Sequence, residues 1–229
     1  MNVASTRPIL VVDDEQTIRL GFSVALRSVG FEVELASSGE QAIEFARNSP
    51  PDCVLLDLRM PGLDGLQTAA EIRDGGFEGP IVLSSAFADH RTAVEALRLG
   101  ITDFLTKPVK PTQLRYAVNH ALSRHARFSK AEPDDFTSLA PDLLRAYAKY
   151  CLSRRRHAEA MMALRKSAAE RRDLQSLLLL GAMLEMNGHL EEAGEMFARA
   201  TELHASSINF AASTELFRVF SHSDHSIED

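Results

Sequence analysis

Five polar residues in the first half of the chain are of the types that transfer phosphoryl groups. Each of them follows or ends a short apolar run, and they are Asp13, Asp14, Asp57, Ser85 and Lys107. A carboxylate can act as a nucleophile, a lysine supplies positive charge, and a hydroxyl can donate a hydrogen bond to a developing oxyanion. Together with a metal ion, such groups transfer a phosphoryl group to the carboxylate and yield an acyl phosphate.

The three aspartates imply a divalent cation. Converging carboxylates repel one another unless a cation lies among them, and hard oxygen ligands with open positions suit Mg²⁺. We expect Asp13, Asp14 and Asp57 to hold this ion, with the backbone carbonyl of Arg59 as a further candidate ligand. Asp57 is the expected nucleophile, because the apolar residues Val54–Leu56 bury its strand while its own side chain stands at the tip.

These residues need a scaffold that brings the ends of separate strands together. Short β-branched apolar runs alternate with segments of helical spacing, which is typical of a parallel sheet covered by helices on both faces. The predicted strands are Ile9–Val12, Phe31–Leu35, Cys53–Leu56, Pro80–Ser84 and Ile101–Leu105. The predicted helices lie at about 15–29, 38–47, 65–74, 90–99 and 111–127. The order (βα)5 predicts a doubly wound α/β fold with five parallel strands, whose carboxyl edge gathers the candidate residues.

The segments that carry these residues resemble a known family. They read ILVVDDE at 9–15, VLLDLRMPGLDG at 54–65, PIVLSSA at 80–86 and GITDFLTKP at 100–108. Residues 7 to about 127 resemble the receiver domain of a bacterial two-component response regulator, and all five candidate positions hold the expected chemical type. An inactive receiver-like domain is the main alternative.

The resemblance implies that a histidine kinase or a phosphotransfer protein phosphorylates Asp57. It also implies that Mg²⁺ binds through Asp13, Asp14 and Asp57, and that Ser85 and Lys107 bind the phosphoryl oxygens. The only catalysis implied is the domain's own phosphoryl transfer and dephosphorylation, so the chain is not expected to be an enzyme in the ordinary sense.

The same resemblance implies a conformational switch at Ser85 and Phe104, the latter at the family's aromatic switch position. Because a phosphoryl group adds negative charge and three acceptor oxygens, we expect the site to contract and Phe104 to turn inward. The surface formed by 90–99, 101–105 and 111–127 would then change, and a homodimer on phosphorylation is an expectation. Its charged residues, which could equally belong to a solvated helix face, are Arg91, Glu95, Arg98, Asp103 and Arg115.

The second half of the chain is predicted to be all helical. Beyond a polar stretch that Pro133 interrupts, β-branched residues become rare while Ala and Leu dominate. We assign 1–127 to the receiver, 128–136 to a linker, 137–221 to a helical output domain, and 222–229 to a disordered tail.

The helical half resembles a pair of tetratricopeptide repeats. The clearer copy spans about 174–207, with its pattern residues at Leu177, Leu180, Gly181, Leu184, Ala193, Phe197 and Ala200. A degenerate copy precedes it, and a helix at about 206–220 would act as a cap. A generic bundle of four or five helices is the alternative. Because about three repeats are usually needed for stability, this half should lean on the receiver, on a second copy or on a partner.

Charge is unevenly distributed in the helical half. Residues 145–172 hold nine Lys or Arg against two acids, whereas the residues from 173 onward hold two Arg against ten acids. The two stretches could pair with each other, or could be solvated helix faces. The basic stretch could also bind an acidic protein or, less readily, nucleic acid.

The sequence therefore predicts a signalling adaptor whose receiver controls which protein target the helical half binds. A DNA-binding transcriptional regulator with an atypical helical output domain is the alternative, although no basic recognition helix is visible. An output enzyme has no recognisable catalytic constellation. Residues 1–8 do not resemble a secretory signal, no apolar run reaches the ~18 residues that cross a bilayer, and Cys53 and Cys151 suggest no disulfide framework. We expect a cytoplasmic protein that makes no membrane contact.

Overall fold

Strands and helices alternate through the first half of the computed structural model, which describes residues 7–86, 90–130, 139–170 and 174–204. The strands are β1 (Ile9–Val12), β2 (Val33–Ala36), β3 (Cys53–Asp57), β4 (Ile81–Ser85) and β5 (Asp103–Thr106). The helices are α1 (Gln16–Arg27), α2 (Gly39–Asn48), α3 (Gly65–Asp74), α4 (His90–Arg98) and α5 (Pro111–Lys130). The strands form one parallel sheet in the order β2-β1-β3-β4-β5, so the predicted α/β fold is confirmed.

The sheet is apolar on both faces, and helices cover each face. Successive residues of a strand point to opposite faces. In β1, Ile9 and Val11 belong to a buried cluster with residues of α1 and α5. Leu10 and Val12 belong to a second cluster with residues of α2, α3 and α4. This arrangement buries the strands and places their carboxyl ends side by side at one edge.

Two strands begin two residues later than predicted, because the residues assigned to their starts close the preceding helices. The backbone N–H of Phe31 donates to the carbonyl five residues earlier at 3.3 Å, and that of Ile101 does so at 2.9 Å. Each follows a glycine with positive φ, Gly30 at 92° and Gly100 at 62°. An apolar residue after such a glycine ends a helix rather than beginning a strand.

The last helix of the first half is longer than predicted. α5 continues to Lys130, past the predicted end of the receiver at residue 127 and into the predicted linker. Phe128 stabilises this extension, because it is buried and its ring centroid lies 5.5 Å from those of Tyr147 and Tyr150. The aromatic partners come from the helical half, so the first-half pattern could not reveal them. The rest of the predicted linker, 131–136, lies outside the described residues.

Four helices follow in the second half: α6 (Pro141–Ser153), α7 (His157–Glu170), α8 (Leu174–Met186) and α9 (Leu190–His204). α6 packs on α7, and α8 packs on α9. In the second pair Gly181 permits close approach, because a Cβ there would lie 2.7 Å from the ring of Phe197. The assignment to tetratricopeptide repeats stays a prediction. The predicted cap helix at 206–220 and the predicted tail at 222–229 lie outside the described residues.

The helical half packs directly on the α/β half. α8 and α6 contact α4, and α6 also contacts α5. A single cluster of buried apolar residues extends from the sheet through α4 to α9. Every residue of 176–184 in α8 is buried. The two helical pairs therefore pack on the α/β half, which is one of the three means of stabilisation expected for them.

Candidate functional site

The predicted site residues lie at the carboxyl edge of the sheet. Asp13 directly follows β1, Asp57 ends β3, Ser85 ends β4, and Lys107 directly follows β5. Asp13, Asp57 and Ser85 are buried. Because neighbouring parallel strands end at the same edge, the fold brings together residues as far as 94 positions apart.

The ammonium group of Lys107 joins the two buried aspartates. Its Nζ lies 2.6 Å from Asp57 Oδ1 and 2.9 Å from Asp13 Oδ2. The backbone N–H of Lys107 also donates to the Ser85 carbonyl at 2.9 Å, which ties the segment after β5 to the end of β4. One cation thus faces two carboxylates, so the cluster carries net negative charge when all three groups are ionised.

Burial and charge shift the pKa values in this cluster. Burial lowers the pKa of Lys107, but its hydrogen bonds to Asp57 and Asp13 and their charges outweigh burial and raise that pKa overall. Burial raises the pKa of Asp57 with help from the charge of Asp13, while Lys107 opposes the rise. A further cation beside Asp57 would favour the charged carboxylate, so the cluster is suited to binding one.

Backbone N–H groups hold both carboxylates in place. Glu15 N–H donates to Asp13 Oδ1 at 2.9 Å, and Arg59 N–H donates to Asp57 Oδ2 at 3.1 Å. The chain returns close to Asp57 at Gly65, where a Cβ would lie 2.4 Å from the Asp57 carbonyl oxygen. The carboxylates are therefore oriented by the turns that follow their strands.

The oxygen ligands at this edge fit Mg²⁺, and two of the predicted aspartate ligands lie close together there. Asp13 and Asp57 offer carboxylate oxygens, which Mg²⁺ prefers. Asp14 is exposed, and among the described residues no three His, Cys, Asp or Glu side chains are grouped so as to hold a metal. The structure therefore brings together two of the three predicted aspartate ligands. Arg59 contributes its N–H to Asp57, and the role of its carbonyl stays a prediction.

The two predicted switch residues are buried. Ser85 is 1% exposed, and Phe104 is 0% exposed and lies opposite Leu83 in the sheet. Asp103, one of the charges expected on a dimer surface, is 3% exposed, and its Oδ1 accepts a hydrogen bond from Phe104 N–H at 2.9 Å. Asp103 thus does not face solvent as pairing with a second copy would require.

The structure adds Arg19, which the sequence analysis did not single out. Its side-chain Nη1 donates to the Asp13 carbonyl at 2.5 Å, so a cation from α1 reaches the chain where β1 ends. The position of Arg19, six residues after Asp13 and near the start of α1, could have indicated this contact. Side chains in the first turns of a helix point back toward the preceding strand.

Four of the nine cations in the basic stretch of the helical half form ion pairs with acids. Two pairs reach the receiver half and two remain within the helical half: Arg154–Glu78, Arg155–Asp74, Arg156–Glu159 and Arg165–Glu192. The Arg165–Glu192 pair joins α7 to α9, in line with the expected self-complementarity. The pairs with the receiver were not predicted. Exposed ion pairs contribute little stability, but they reduce the positive charge that is available to a nucleic acid backbone.

Comparison with known proteins agrees with this fold. A family model for the response regulator receiver domain matches residues 9–119. Regulatory protein AtoC of Escherichia coli (strain K12) is 40% identical over 114 residues, which cover 50% of this chain and 25% of AtoC. The alkaline phosphatase synthesis transcriptional regulatory protein PhoP of Bacillus subtilis (strain 168) is 35% identical over 118 residues, which cover 52% of this chain and 49% of PhoP.

A solved structure has the same fold. The CheY-like response regulator receiver domain protein of Methanospirillum hungatei JF-1 superposes with a TM-score of 0.51 at 22% identity, over 53% of this chain and 97% of that protein. Residues 9–119 are therefore a response regulator receiver domain, a signalling module and not a metabolic enzyme. The chain spans about a quarter to a half of the length of the two curated relatives, and the family match ends before the helical half.

Proposed function

We propose that this chain is a two-component response regulator that is phosphorylated on Asp57 and signals through its helical half by binding another protein. The observation that carries the proposal is the Lys107 ammonium, which bonds to both Asp57 and Asp13 at the carboxyl edge of a receiver domain. A sensor histidine kinase or a phosphotransfer protein would be the phosphoryl donor.

The proposed reaction forms a bond between phosphorus and a carboxylate oxygen of Asp57. As this bond forms, the bond from phosphorus to the imidazole nitrogen of a donor phosphohistidine breaks, and that nitrogen keeps the electron pair and takes up a proton. The ammonium of Lys107 and the hydroxyl of Ser85 would bind the oxygens of the transferred group. Hydrolysis of the acyl phosphate by water returns the Asp57 carboxylate and inorganic phosphate.

We propose Mg²⁺ as the metal of this site. Asp13, Asp14 and Asp57 would hold it together with the carbonyl of Arg59, and the ion would neutralise charge on the phosphoryl oxygens. The hard oxygen donors support this choice, as does the raised pKa of Asp57, because a carboxylate that is costly to ionise gains most from a nearby cation.

The helical half is proposed to act by protein–protein contact. Its apolar helices pack as two pairs, and the cations Arg154, Arg155 and Arg165 already have acidic partners, which favours a protein target over nucleic acid. The alternative is a DNA-binding transcriptional regulator, because the name of PhoP describes that relative as a transcriptional regulatory protein.

The proposed partners are a phosphoryl donor, an output protein and, on phosphorylation, a second copy of the chain. Asp103 is buried while the helical half is packed on the receiver, so the homodimer would have to form through a different surface. The buried, free thiols of Cys53 and Cys151 fit a reducing compartment, so we propose a cytoplasmic location. In the part of the chain that the structure describes, no helix has the length and apolar character to cross a membrane.

Phosphorylation can be tested by intact mass after incubation of the full chain with acetyl phosphate and Mg²⁺. The wild type should gain the mass of one phosphoryl group, and Asp57→Asn should gain none. Asp52→Asn is a matched control, because Asp52 precedes β3 and its carboxylate accepts a hydrogen bond from Arg7 N–H, away from the site. Equal labelling of wild type and Asp57→Asn would contradict the assignment.

The output can be tested by affinity capture from host lysate with and without nuclease treatment. Wild type with acetyl phosphate and Mg²⁺ is compared with Asp57→Asn under the same conditions. A protein that survives nuclease treatment and binds the two baits differently would support the adaptor function. Nucleic acid recovered only with the phosphorylated bait would favour the transcriptional alternative.

A further inference from the structure

A cleft of about 560 Å³ lies at the amino edge of the sheet, at the end opposite the aspartate cluster. The segments before β1 and β3 and the connection between α3 and β4 form two of its walls. A third wall comes from α5 and from Arg154, the residue after α6. Clefts of roughly 300–1,000 Å³ at the boundary between two structural units are the usual sites of small molecules. Its size and position therefore suit a small ligand.

Positively charged side chains from three separate elements line this cleft. Arg7 precedes β1, Arg47 lies in the last turn of α2, and Arg154 follows α6. Two carboxylates, those of Asp52 and Glu78, lie among them. Guanidinium groups bind phosphate through parallel N–H donors, and carboxylates accept hydrogen bonds from hydroxyl and N–H groups. The lining thus suits a ligand that has both a phosphate group and hydrogen-bond donors.

Two of these guanidinium groups keep hydrogen-bonding capacity for a ligand. Arg47 Nη2 lies 3.7 Å from the Glu71 carboxylate, and both side chains are more than half exposed, so this pair is weak. Arg154 Nη1 lies 2.9 Å from the Glu78 carboxylate, but its Nε has no hydrogen-bond partner among the described residues. The ring of Tyr150, whose centroid lies 4.9 Å from the Arg154 Cζ, holds this guanidinium in place.

His125 adds an uncharged polar ring to the cleft wall formed by α5. Burial lowers the pKa of His125, and the charges of Arg154 and Arg73 lower it further. The acids Glu78 and Asp52 oppose this shift without reversing it. The imidazole is therefore neutral at pH 7, so one of its nitrogens donates a hydrogen bond and the other accepts one. A ring with both functions suits the edge of a heterocyclic base.

Glycines keep the cleft open, and apolar side chains give it a nonpolar surface. The connection 75–79 contains three glycines, and nothing lies within 4 Å of the Cβ position of Gly76. Phe77 is buried beside this connection, and Leu122 is buried in α5. Arg73 donates to the carbonyls of Phe77 and Gly79 at 2.7 Å each, which fixes the course of the connection. The cleft is thus already formed and combines apolar surface with converging polar groups.

We propose that this cleft binds a nucleoside monophosphate. The phosphate group meets the guanidinium groups, the base lies against the apolar surface beside His125, and the two carboxylates accept hydrogen bonds from the ligand. Because Arg154 belongs to the helical half and the remaining groups to the α/β half, the bound nucleotide contacts both halves. This inference does not depend on phosphorylation of Asp57.

Isothermal titration calorimetry of the full chain with AMP, GMP, CMP and UMP tests the proposal. EDTA in the buffer keeps divalent ions from the aspartate cluster, whose negative charge then repels phosphate. At least one nucleotide should bind with a Kd below about 1 mM, and its nucleoside and inorganic phosphate should each bind at least about tenfold more weakly. Binding of none of the nucleotides would overturn the inference. Inorganic phosphate that binds as tightly as the nucleotide would also overturn it, because the cleft would then be a simple anion site.

Arg47→Met should weaken binding of that nucleotide by about tenfold, because one charge-assisted contact to the phosphate is lost. Arg98→Met is the matched control. Arg98 is also about half exposed and lies 3.4 Å from an acidic partner, Glu95, but it belongs to α4 and does not line the cleft. Equal affinities of the two variants would place the nucleotide elsewhere and contradict the inference.

Ala126→Glu provides a second, independent variant on another wall. Ala126 lines the cleft from α5, so the added carboxylate should repel the phosphate and abolish binding. Ser123→Glu, at an exposed position of the same helix outside the cleft, should bind as wild type does. Far-UV circular dichroism verifies that both variants are folded. Wild-type affinity in Ala126→Glu would show that the cleft is not the site.

Two further measurements locate the bound nucleotide. Asp57→Asn should bind it as wild type does, and loss of binding in that variant would assign the nucleotide to the aspartate cluster and overturn the inference. Hydrogen exchange measured by mass spectrometry should become slower both in 75–79 and at the end of α6, because the ligand contacts both. Protection confined to one half would contradict the proposed contact with both.

Discussion

Lys107 Nζ lies 2.6 Å from Asp57 Oδ1, although the two residues come from strands on opposite sides of β4. Asp57 ends β3 and Lys107 follows β5, so the lysine side chain reaches across the end of the strand between them, where Ser85 stands. Three neighbouring strands thus supply a carboxylate, a hydroxyl and an ammonium group to one edge.

Lys107→Ala should slow phosphorylation of Asp57 by about 10²- to 10³-fold, the usual cost of removing one preorganised group that stabilises transition-state charge. The rate of mass gain with acetyl phosphate and Mg²⁺ measures this effect. Lys110→Ala is the matched control, because Lys110 is exposed in the same connection between β5 and α5. A Lys107→Ala rate within about twofold of the control would argue against a role for the ammonium in the transfer.

Gly65→Ala should destabilise the loop that follows Asp57. The added Cβ would lie 2.4 Å from the Asp57 carbonyl oxygen, so the backbone must shift, and we expect a loss of about 1–3 kcal/mol in the free energy of unfolding. Urea denaturation measures the loss. Gly194→Ala in α9, where nothing lies within 4 Å of the new Cβ, should instead raise stability by up to about 1 kcal/mol. Equal effects of the two substitutions would be inconsistent with this packing.

The site could be predicted because its signals are local. Each candidate residue stands at the end of an apolar run, and parallel strands bring such ends together whatever the details of packing. Errors arose where one residue type serves two purposes. Phe31 and Ile101 are apolar like strand residues, but after Gly30 and Gly100 they close helices. A glycine followed by an apolar residue is the signal that distinguishes the two cases.

The contact between the two halves could not be predicted in the same way. The apolar character of α8 on all sides indicates burial but does not indicate against which element. The Lys149–Thr102 hydrogen bond joins positions 47 residues apart. Lysine is also a residue type that is usual on exposed helix surfaces, so the sequence does not mark Lys149 as buried. Only the packing of α6 against the receiver shows that this lysine is buried.

Arg73 should be essential for the stability of the receiver. Its guanidinium is buried, which lowers its pKa to about 9, and it donates to four backbone carbonyls of the segments around α4 and β4. The carbonyls belong to Phe77, Gly79, Leu99 and Gly100. Arg73→Met should lower the free energy of unfolding by about 3 kcal/mol, because these acceptors lose their donors.

Chemical denaturation of Arg73→Met beside Arg47→Met measures this effect. Arg47 pairs with Glu71 at 3.7 Å, and both side chains are more than half exposed, so its loss should cost less than about 0.5 kcal/mol. Similar midpoints for the two variants would show that the carbonyl contacts of Arg73 contribute little.

The stability difference between wild type and Lys149→Met should depend on pH. Burial lowers the pKa of Lys149 from 10.5 to about 8, with Asp103 opposing the shift and Arg124 and Arg145 adding to it. Between these values the unfolded chain keeps the proton that the folded chain has released. The free energy of unfolding of wild type, measured relative to that of Lys149→Met, should therefore rise as pH increases from about 8 to 10.5. This relative gain should disappear as pH falls back to 8.

The size of this effect follows from the pKa difference. At about 1.4 kcal/mol for each pH unit, the relative gain should approach about 3 kcal/mol at pH 10.5. Urea denaturation of both proteins at several pH values measures it, and groups shared by both chains, such as Cys53 and Arg73, cancel in the difference. A difference that stays constant from pH 7 to 10 would mean that Lys149 keeps an ordinary pKa, and therefore that its amine is hydrated and not buried against β5.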